Sequence, residues 1–351
     1  MDFLADNQLA ALVGLGGGVA LGLASAVGRF CTLGAIEDAL YGQDKKRLRM
    51  WGVAIAVAIT GVFVLNALGQ VEYATSRFFI FKFRIVAAVL GGLMFGWGMA
   101  LAGNCGFGAL ARMAGGDLRS FVVATVMAIS AYMMIGGPTA ALREILFPTV
   151  VVDPDAPAQG IADLIGDTLG MAPILPALLI AALIALWAFW DRGFRTSRTH
   201  VFWSVVVGLA IVSGWWGTTW IAENGFGGAE IESHSFSAPL GETLVYAMTW
   251  TGASMNFGTG SVAGVVLGSF VGTQIKGRFR WEACDDAREL GRSVLGGFLM
   301  GTGGVLAIGC SVGQGLTAFS ALSYSAPIVL GSIYIGAMLG LRYLIHGFQK
   351  V

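Results

Sequence analysis

The sequence predicts an all-α integral membrane protein: nine transmembrane helices and four short re-entrant or half helices, arranged as an inverted internal repeat. Three observations predict it. The 351 residues are 56% hydrophobic and 12% charged, roughly half the charge of a soluble domain. Nine apolar runs approach the ~20 residues that cross the hydrocarbon of a bilayer. A glycine-rich stretch holding a cysteine occurs twice.

The nine runs lie near 9–28, 50–69, 84–103, 119–137, 173–190, 201–220, 257–276, 291–309 and 325–346. Acidic residues but no Lys or Arg precede the first (MDFLADNQLAALVGLGG), so it lacks the basic flank of a cleaved signal and reads as a retained span. The stretches 30–41, 105–116, 240–254 and 310–322 are too short to cross. Non-helical backbone at membrane depth is tolerated only where protein or a wet cavity covers it, which makes these stretches re-entrant. The order is span, short helix, span, span, short helix, span, a lone fifth span, then the same order again. An odd span between the halves starts the second half on the opposite face, hence the inversion. The expected units are 1–137 (first repeat), 138–200 (external loop and connecting fifth span) and 201–351 (second repeat).

The duplicated stretch justifies the two halves. GGLMFGWGMALAGNCGFG, from Gly91, recurs at an offset of 205 as GGFLMGTGGVLAIGCSVG, from Gly296, with eight of eighteen positions identical. The shared glycines (Gly91, Gly92, Gly96, Gly98; Gly296, Gly297, Gly301, Gly303) include small-xxx-small spacings, for which close helix packing is the simplest reading. Glycines beside the cysteines stand where the helix should stop and restart: Gly103, Gly106 and Gly108, then Gly309, Gly313 and Gly315. Backbone N–H groups at a restarting helix, with no Cβ in the way, can receive an anion.

Charge predicts the orientation. One set of connections carries Arg29, Lys45, Lys46, Arg47, Arg49, Arg112, Arg119, Arg192, Arg195, Arg198, Lys276, Arg278, Arg280, Arg288, Arg292, Arg342 and Lys350; the other carries Arg77, Lys82, Arg84 and Arg143. Seventeen against four puts the first set in the cytoplasm, the N-terminus outside and the C-terminus inside. The polar stretch 148–167 and the acidic loop Glu223–Glu242, both without Lys or Arg, then lie outside. Trp215, Trp216 and Trp220 read as an interfacial belt.

Three of the four cysteines sit at breaks: Arg29-Phe30-Cys31, Asn104-Cys105-Gly106 and Gly309-Cys310-Ser311. A single buried cysteine is normally a small hydrophobe; three at breaks, two of them related by the repeat, call for another reason. A protonated thiol is a weak donor with a soft, polarizable sulfur, suited to a substrate with a sulfur end, whereas a thiolate would repel an anion. Weak contacts at several points permit passage and disfavour trapping. Cys284, in EACDDARE, reads as an incidental reduced thiol. Asn104 and Gln314 are candidates for hydrogen bonds to substrate oxygens or for bracing the breaks. Arg29 and Arg112 read as topological anchors, and Glu37 and Asp38 as a solvated edge. His200, His234 and His346 are scattered through loops and a terminus, so no metal site is expected. There is no phosphate-binding loop, no CxxC and no cofactor motif.

With RFC, GNCGFG and GCSVGQG on the page, the chain resembles the YeeE/YedE family over nearly its whole length. The resemblance implies a bacterial inner-membrane transporter of sulfur compounds, thiosulfate in particular, with nine spans, four short helices and an hourglass outline. It implies that Cys31, Cys105 and Cys310 line a narrow path and hand thiosulfate inward through S–H···S contacts. Gly103, Asn104, Gly106, Gly108, Gly309, Gly313 and Gln314 then border that path. The stretch 148–167 is not matched to the family pattern. Some members are linked to selenium or to sulfur-responsive regulation, so a membrane sensor of sulfur species is the alternative to a permease. A cytoplasmic sulfur-carrier or regulatory protein is a candidate partner, for which KGRFRWEACDDARELGR offers a surface. A thiol oxidoreductase using Cys105 and Cys310 is the weakest reading, with no redox cofactor motif behind it. Neither catalysis, a cofactor nor nucleic-acid binding is expected.

Overall fold

A computed structural model describes residues 6–152, 159–225, 230–284 and 286–348. Parts of the polar stretch 148–167 and of the acidic loop Glu223–Glu242, together with Lys350 and the side chain of His346, lie outside the described residues. The described chain is helical, with isolated bridges but no strand.

The helices are α1 (Asp6–Ala26), α2 (Thr32–Leu40), α3 (Lys46–Ala67), α4 (Arg77–Ile80), α5 (Ile85–Ala102), α6 (Gly106–Ala114), α7 (Leu118–Gly136) and α8 (Ala140–Leu146). They continue as α9 (Ile161–Leu169), α10 (Ile174–Phe189), α11 (Arg192–Arg195), α12 (Arg198–Asn224), α13 (Ala238–Met248), α14 (Phe257–Ile275) and α15 (Ala287–Leu306). A wide π turn, π1 (Gly313–Ala318), and α16 (Ser325–Phe348) complete the chain. Local chemistry sets several ends. Asp117 caps α7 through the Ser120 N–H, Asn256 and Thr259 form a reciprocal capping box on α14, and Gly103 closes α5 in the left-handed conformation.

Among the described residues six segments are long and apolar enough to cross a membrane: α1, α3, the run Ile85–Ala114 through α5 and α6, α7, α12 and Ser325–Ile345 of α16. The other three expected spans are helices of a different character. The expected fifth is α10, which has 16 residues. The seventh, α14, is diluted by five glycines within 19 residues, and the eighth, α15, opens with Arg288, Glu289 and Arg292. Short helix α8 precedes the polar stretch 148–167, expected as loop, and α9 begins within its second half.

Glycine governs the packing. Gly14, Gly18 and Gly22 of α1 face Gly260, Gly264 and Gly268 of α14, where a Cβ on Gly18 would lie 2.4 Å from the Ser261 carbonyl oxygen and one on Gly264 2.3 Å from that of Leu15. Residues four apart share a helix face, so the two backbones meet along three successive turns. At the α5–α15 crossing Gly91 faces Gly303 and Gly98 faces Gly296, each carbonyl oxygen 2.6 Å from where the partner's Cβ would be. The packing reading of these glycines therefore holds.

The helix pairs recur when the two halves are exchanged. α1 packs on α14 as α3 packs on α12; α5 packs on α16 as α15 packs on α7. α13 meets α7 and α14 as α2 meets α16 and α3, and α6 meets α7 as π1 meets α16. α2, α6, α13 and π1 are thereby wedged between longer helices.

Candidate functional site

The three breaks share one local form. A left-handed residue ends the incoming helix, the cysteine stands two positions later, and a short helix begins. The left-handed residues are Arg29 (φ 58°), Gly103 (φ 74°) and Ile308 (φ 55°). Glycine adopts this freely; Arg29 and Ile308 do not, and such strain amounts to about 1–3 kcal/mol, persisting only where surrounding packing imposes it. Cys31 and Cys105 follow in extended backbone as the N-caps of α2 and α6, and Cys310 directly precedes the helical run 311–320.

Sulfur stands where helix starts ordinarily place a side-chain oxygen. Cys105 Sγ accepts the Gly108 N–H at 3.3 Å. Cys310 Sγ accepts the Gly313 N–H at 3.4 Å and the Phe236 N–H at 3.3 Å. A sulfur whose lone pairs meet backbone donors keeps its own S–H to offer a ligand. The three motifs also touch. Thr32 Oγ1, beside Cys31, lies 3.8 Å from Cys105 Sγ and donates to Ser311 Oγ, beside Cys310, at 3.1 Å. The rings of Phe107 and Phe236 pack 5.4 Å apart across the same region.

An apolar cavity of about 320 Å³ is lined by Thr32 itself, and two cavities lined by charged residues approach the same contact. One, of about 510 Å³, reaches Cys31, Gly34, Gly103 and Gly108. The other, of about 550 Å³, reaches Ser237, Gly304, Ile308 and Gly309. Cys105 and Cys310, 0% and 1% exposed, line neither cavity and stand in the packed region between. Cys284 lies apart, half-buried in the α14–α15 connection.

The remaining sequence candidates divide. Gln314 is occupied as a brace: Nε2 donates to the Ala307 and Ile308 carbonyls and Oε1 accepts from Ser325. Asn104, fully buried, donates to Ser120 Oγ at 2.9 Å, while its Oδ1, an acceptor unsuited to an anion, has no partner. Gly106 and Gly313 are packing positions, since a Cβ would fall 2.6 Å from Met127 Sδ and 2.5 Å from Ser235 Oγ respectively. Trp215 departs from the interfacial belt: it is fully buried and donates to Ser320 Oγ at 3.0 Å, while Trp216 and Trp220 stay exposed.

Several contributors carry no sequence signal, because tertiary packing alone brings them in. Phe236 reaches Cys310 through its backbone. His234 is fully buried, its Nδ1 2.6 Å from Ser261 Oγ, and its carbonyl accepts from Thr317 at 2.6 Å, which fixes the segment carrying Phe236. In the second cavity Arg77 pairs with Glu232 at 2.8 Å and Glu230 at 3.3 Å. Burial lifts the Glu232 carboxyl to about 7; Arg77 opposes this, and Glu242 and Glu230 add to it. Thr32 and Ser311, each next to a motif cysteine, were within reach of the sequence argument.

A family model described as "Sulphur transport" matches residues 27–339, a span that takes in all three cysteine breaks. The chain belongs to the sulphur-transport family. This bears out the YeeE/YedE resemblance and places the chain among transporters, not enzymes, so the oxidoreductase reading falls. Two relatives within reach are each named thiosulfate transporter TsuA. The Spirochaeta thermophila protein is 27% identical over 317 residues, covering 88% of this chain and 91% of its own. The Escherichia coli protein is 27% identical over 347 residues, covering 93% and 92%.

Proposed function

We propose that this member of the sulphur-transport family is a permease for thiosulfate or a closely related small sulfur anion. The anion passes Cys31, Cys105 and Cys310 between the two cavities. The observation that carries the reading is the contact of the three cysteine motifs at Thr32, Cys105 and Ser311, between cavities that reach them from different residues. The names of both relatives supply the substrate class. Thiols that accept backbone N–H groups offer S–H donors to the soft sulfur end of thiosulfate, and each contact is weak enough to release it. Gly103, Gly108 and Gly309 border the path; Asn104, Gly106, Gly313 and Gln314 hold its walls.

The architecture completes the proposal. Nine spans and four re-entrant helices form inverted repeats over 1–137 and 201–351, joined through 138–200. The repeated helix pairs and the symmetric Gly91–Gly303 and Gly98–Gly296 contacts support that reading. The bacterial inner membrane follows from the family resemblance, and the seventeen-to-four distribution of Lys and Arg supports a periplasmic N-terminus and a cytoplasmic face for the cavity ending at Cys31. The test is uptake of radiolabelled thiosulfate by cells lacking other routes for it. Uptake above the vector control is expected; a transcriptional response to thiosulfate without uptake would replace the permease by the sensor.

A further inference from the structure

The two cavities differ in charge. In the one ending at Gly309, Arg77, Arg84 and Arg143 stand against Glu144, Glu230 and Glu242, a formal balance. The one ending at Cys31 is lined by Arg29, Arg47, Arg112, Arg119, Arg278 and Arg280. Glu37, Asp117 and Glu282 are its carboxylates, a formal excess of three positive charges among the lining residues that Asp38 and Glu289, paired with two of the arginines, reduce to one. Positive-inside topology explains arginines on a rim; it does not explain six guanidinium groups lining one concavity of about 510 Å³.

Three of the six are committed elsewhere. Arg47 pairs with Asp38 at 3.2 Å, Arg119 with Glu289, and Arg280 with Glu282 at 3.9 Å. Arg29, Arg112 and Arg278 form no ion pair among the described residues. The cavity floor also admits positive charge close to the cysteine break. A Cβ on Gly34 would lie 2.3 Å from Arg47 Nη1 and 3.7 Å from Cys31 Cβ, so the missing side chain is what lets that guanidinium sit over the start of α2. Uncompensated cations in a concave, partly desolvated space concentrate anions, and planar guanidinium forks match the oxygens of a tetrahedral anion.

We infer that the cavity ending at Cys31 is a binding site for tetrahedral dianions, sulfate and the carried anion alike, and that its occupation from the cytoplasm restrains further uptake. The second half rests on the permease reading above. A dianion held beside Cys31 repels the next one approaching the break, so a filled cytoplasmic pool slows entry without any change of fold.

The binding half is tested by calorimetric titration of sodium sulfate into the full-length protein in phosphatidylcholine nanodiscs at low ionic strength. Saturable binding is expected, weakened by added sodium chloride. Arg112→Gln and Arg278→Gln should each weaken it about tenfold, since each removes a charge-assisted contact. Arg112→Lys should retain more affinity than Arg112→Gln, which separates loss of charge from misfolding. Arg143→Gln, in the other cavity, should stay within about twofold. No saturable binding, unchanged affinity in both glutamine variants, or an equal loss in Arg143→Gln would overturn the site. Adding phosphatidylglycerol should leave sulfate affinity unchanged; competition would assign the arginines to lipid headgroups and overturn the soluble-anion reading. For the regulatory half, sulfate loaded on the cytoplasmic face should slow thiosulfate uptake severalfold in the parent and less in Arg278→Gln. Uptake indifferent to loaded sulfate overturns that half. Sulfate binding without any thiosulfate uptake would instead remove the permease and leave the anion site standing.

Discussion

At the scale of single residues, sulfur is the feature in need of a reason. An oxygen cap would hold α6 and π1 at least as well, so cysteine at both positions gives up local stability for something a hydroxyl does not supply. Cys105→Ser and Cys310→Ser should therefore keep the protein inserted and lower thiosulfate uptake by about tenfold or more, since a relay loses a step as well as one weak contact. Cys284→Ser should leave uptake at the parental level. Serine variants that transport like the parent would remove sulfur from the mechanism. These cysteines were legible in the sequence because the repeat set two of them at equivalent places and a third stood in Arg29-Phe30-Cys31. Glu232 was not legible, because its behaviour depends on Arg77 from α4 and Glu242 from α13. Its carboxyl, lifted by burial to about 7 from an ordinary 4.5, keeps a proton that the unfolded chain releases within that interval. Stability should therefore fall as pH rises from 4.5 to about 7, by about 1.4 kcal/mol per pH unit at most. Thermal melts of the parent and of Glu232→Gln across that interval should diverge in slope, the variant being flatter; parallel profiles would show that the carboxyl titrates normally.

At the scale of helices, hydropathy and glycine spacing carry different information. Hydropathy marks six crossing segments and leaves α10, α14 and α15 below that standard. The glycines of α14 that dilute its apolarity are the ones that fit it against α1, so the helix with a weak hydrophobic signal has an intimate backbone contact. Length and position predict a span there, and the glycine contacts give the physical reason for its composition. Short helices α4, α8, α9 and α11 carry no sequence signal because four to nine residues have no clear period. The packing argument separates glycines by what a methyl group would meet. Gly260→Ala would put Cβ 1.9 Å from the Ala11 carbonyl oxygen, and backbone cannot yield as a side-chain tip does. A loss of about 1–3 kcal/mol is expected, read as a lower melting temperature in detergent. Gly136→Ala, with nothing within 4 Å, should leave the melting temperature unchanged or raise it. Equal effects at the two positions would deny that α1 and α14 are held by close backbone approach.

At the scale of the whole molecule, orientation and charge reinforce one another. The arginine-lined cavity reaches the break at Cys31, and the balanced cavity, with Arg77 and Glu230, reaches the break at Gly309. On the permease proposal, an anion entering from the balanced side would meet no large electrostatic well until it had passed Cys105 and Cys310. A strongly cationic outer mouth would hold it before the constriction instead, so the asymmetry favours inward delivery only if the arginine-lined cavity faces the cytoplasm. That dependence makes topology the decisive measurement. Fusions of a periplasm-active and a cytoplasm-active reporter to each end should place the N-terminus outside and the C-terminus inside. Both ends on one side would require an even number of crossings and remove the inverted repeat. Opposite ends in the reverse orientation would keep the repeat and defeat the positive-inside argument. The arginine-lined cavity would then face outward, where it would act as the capture site for the incoming anion.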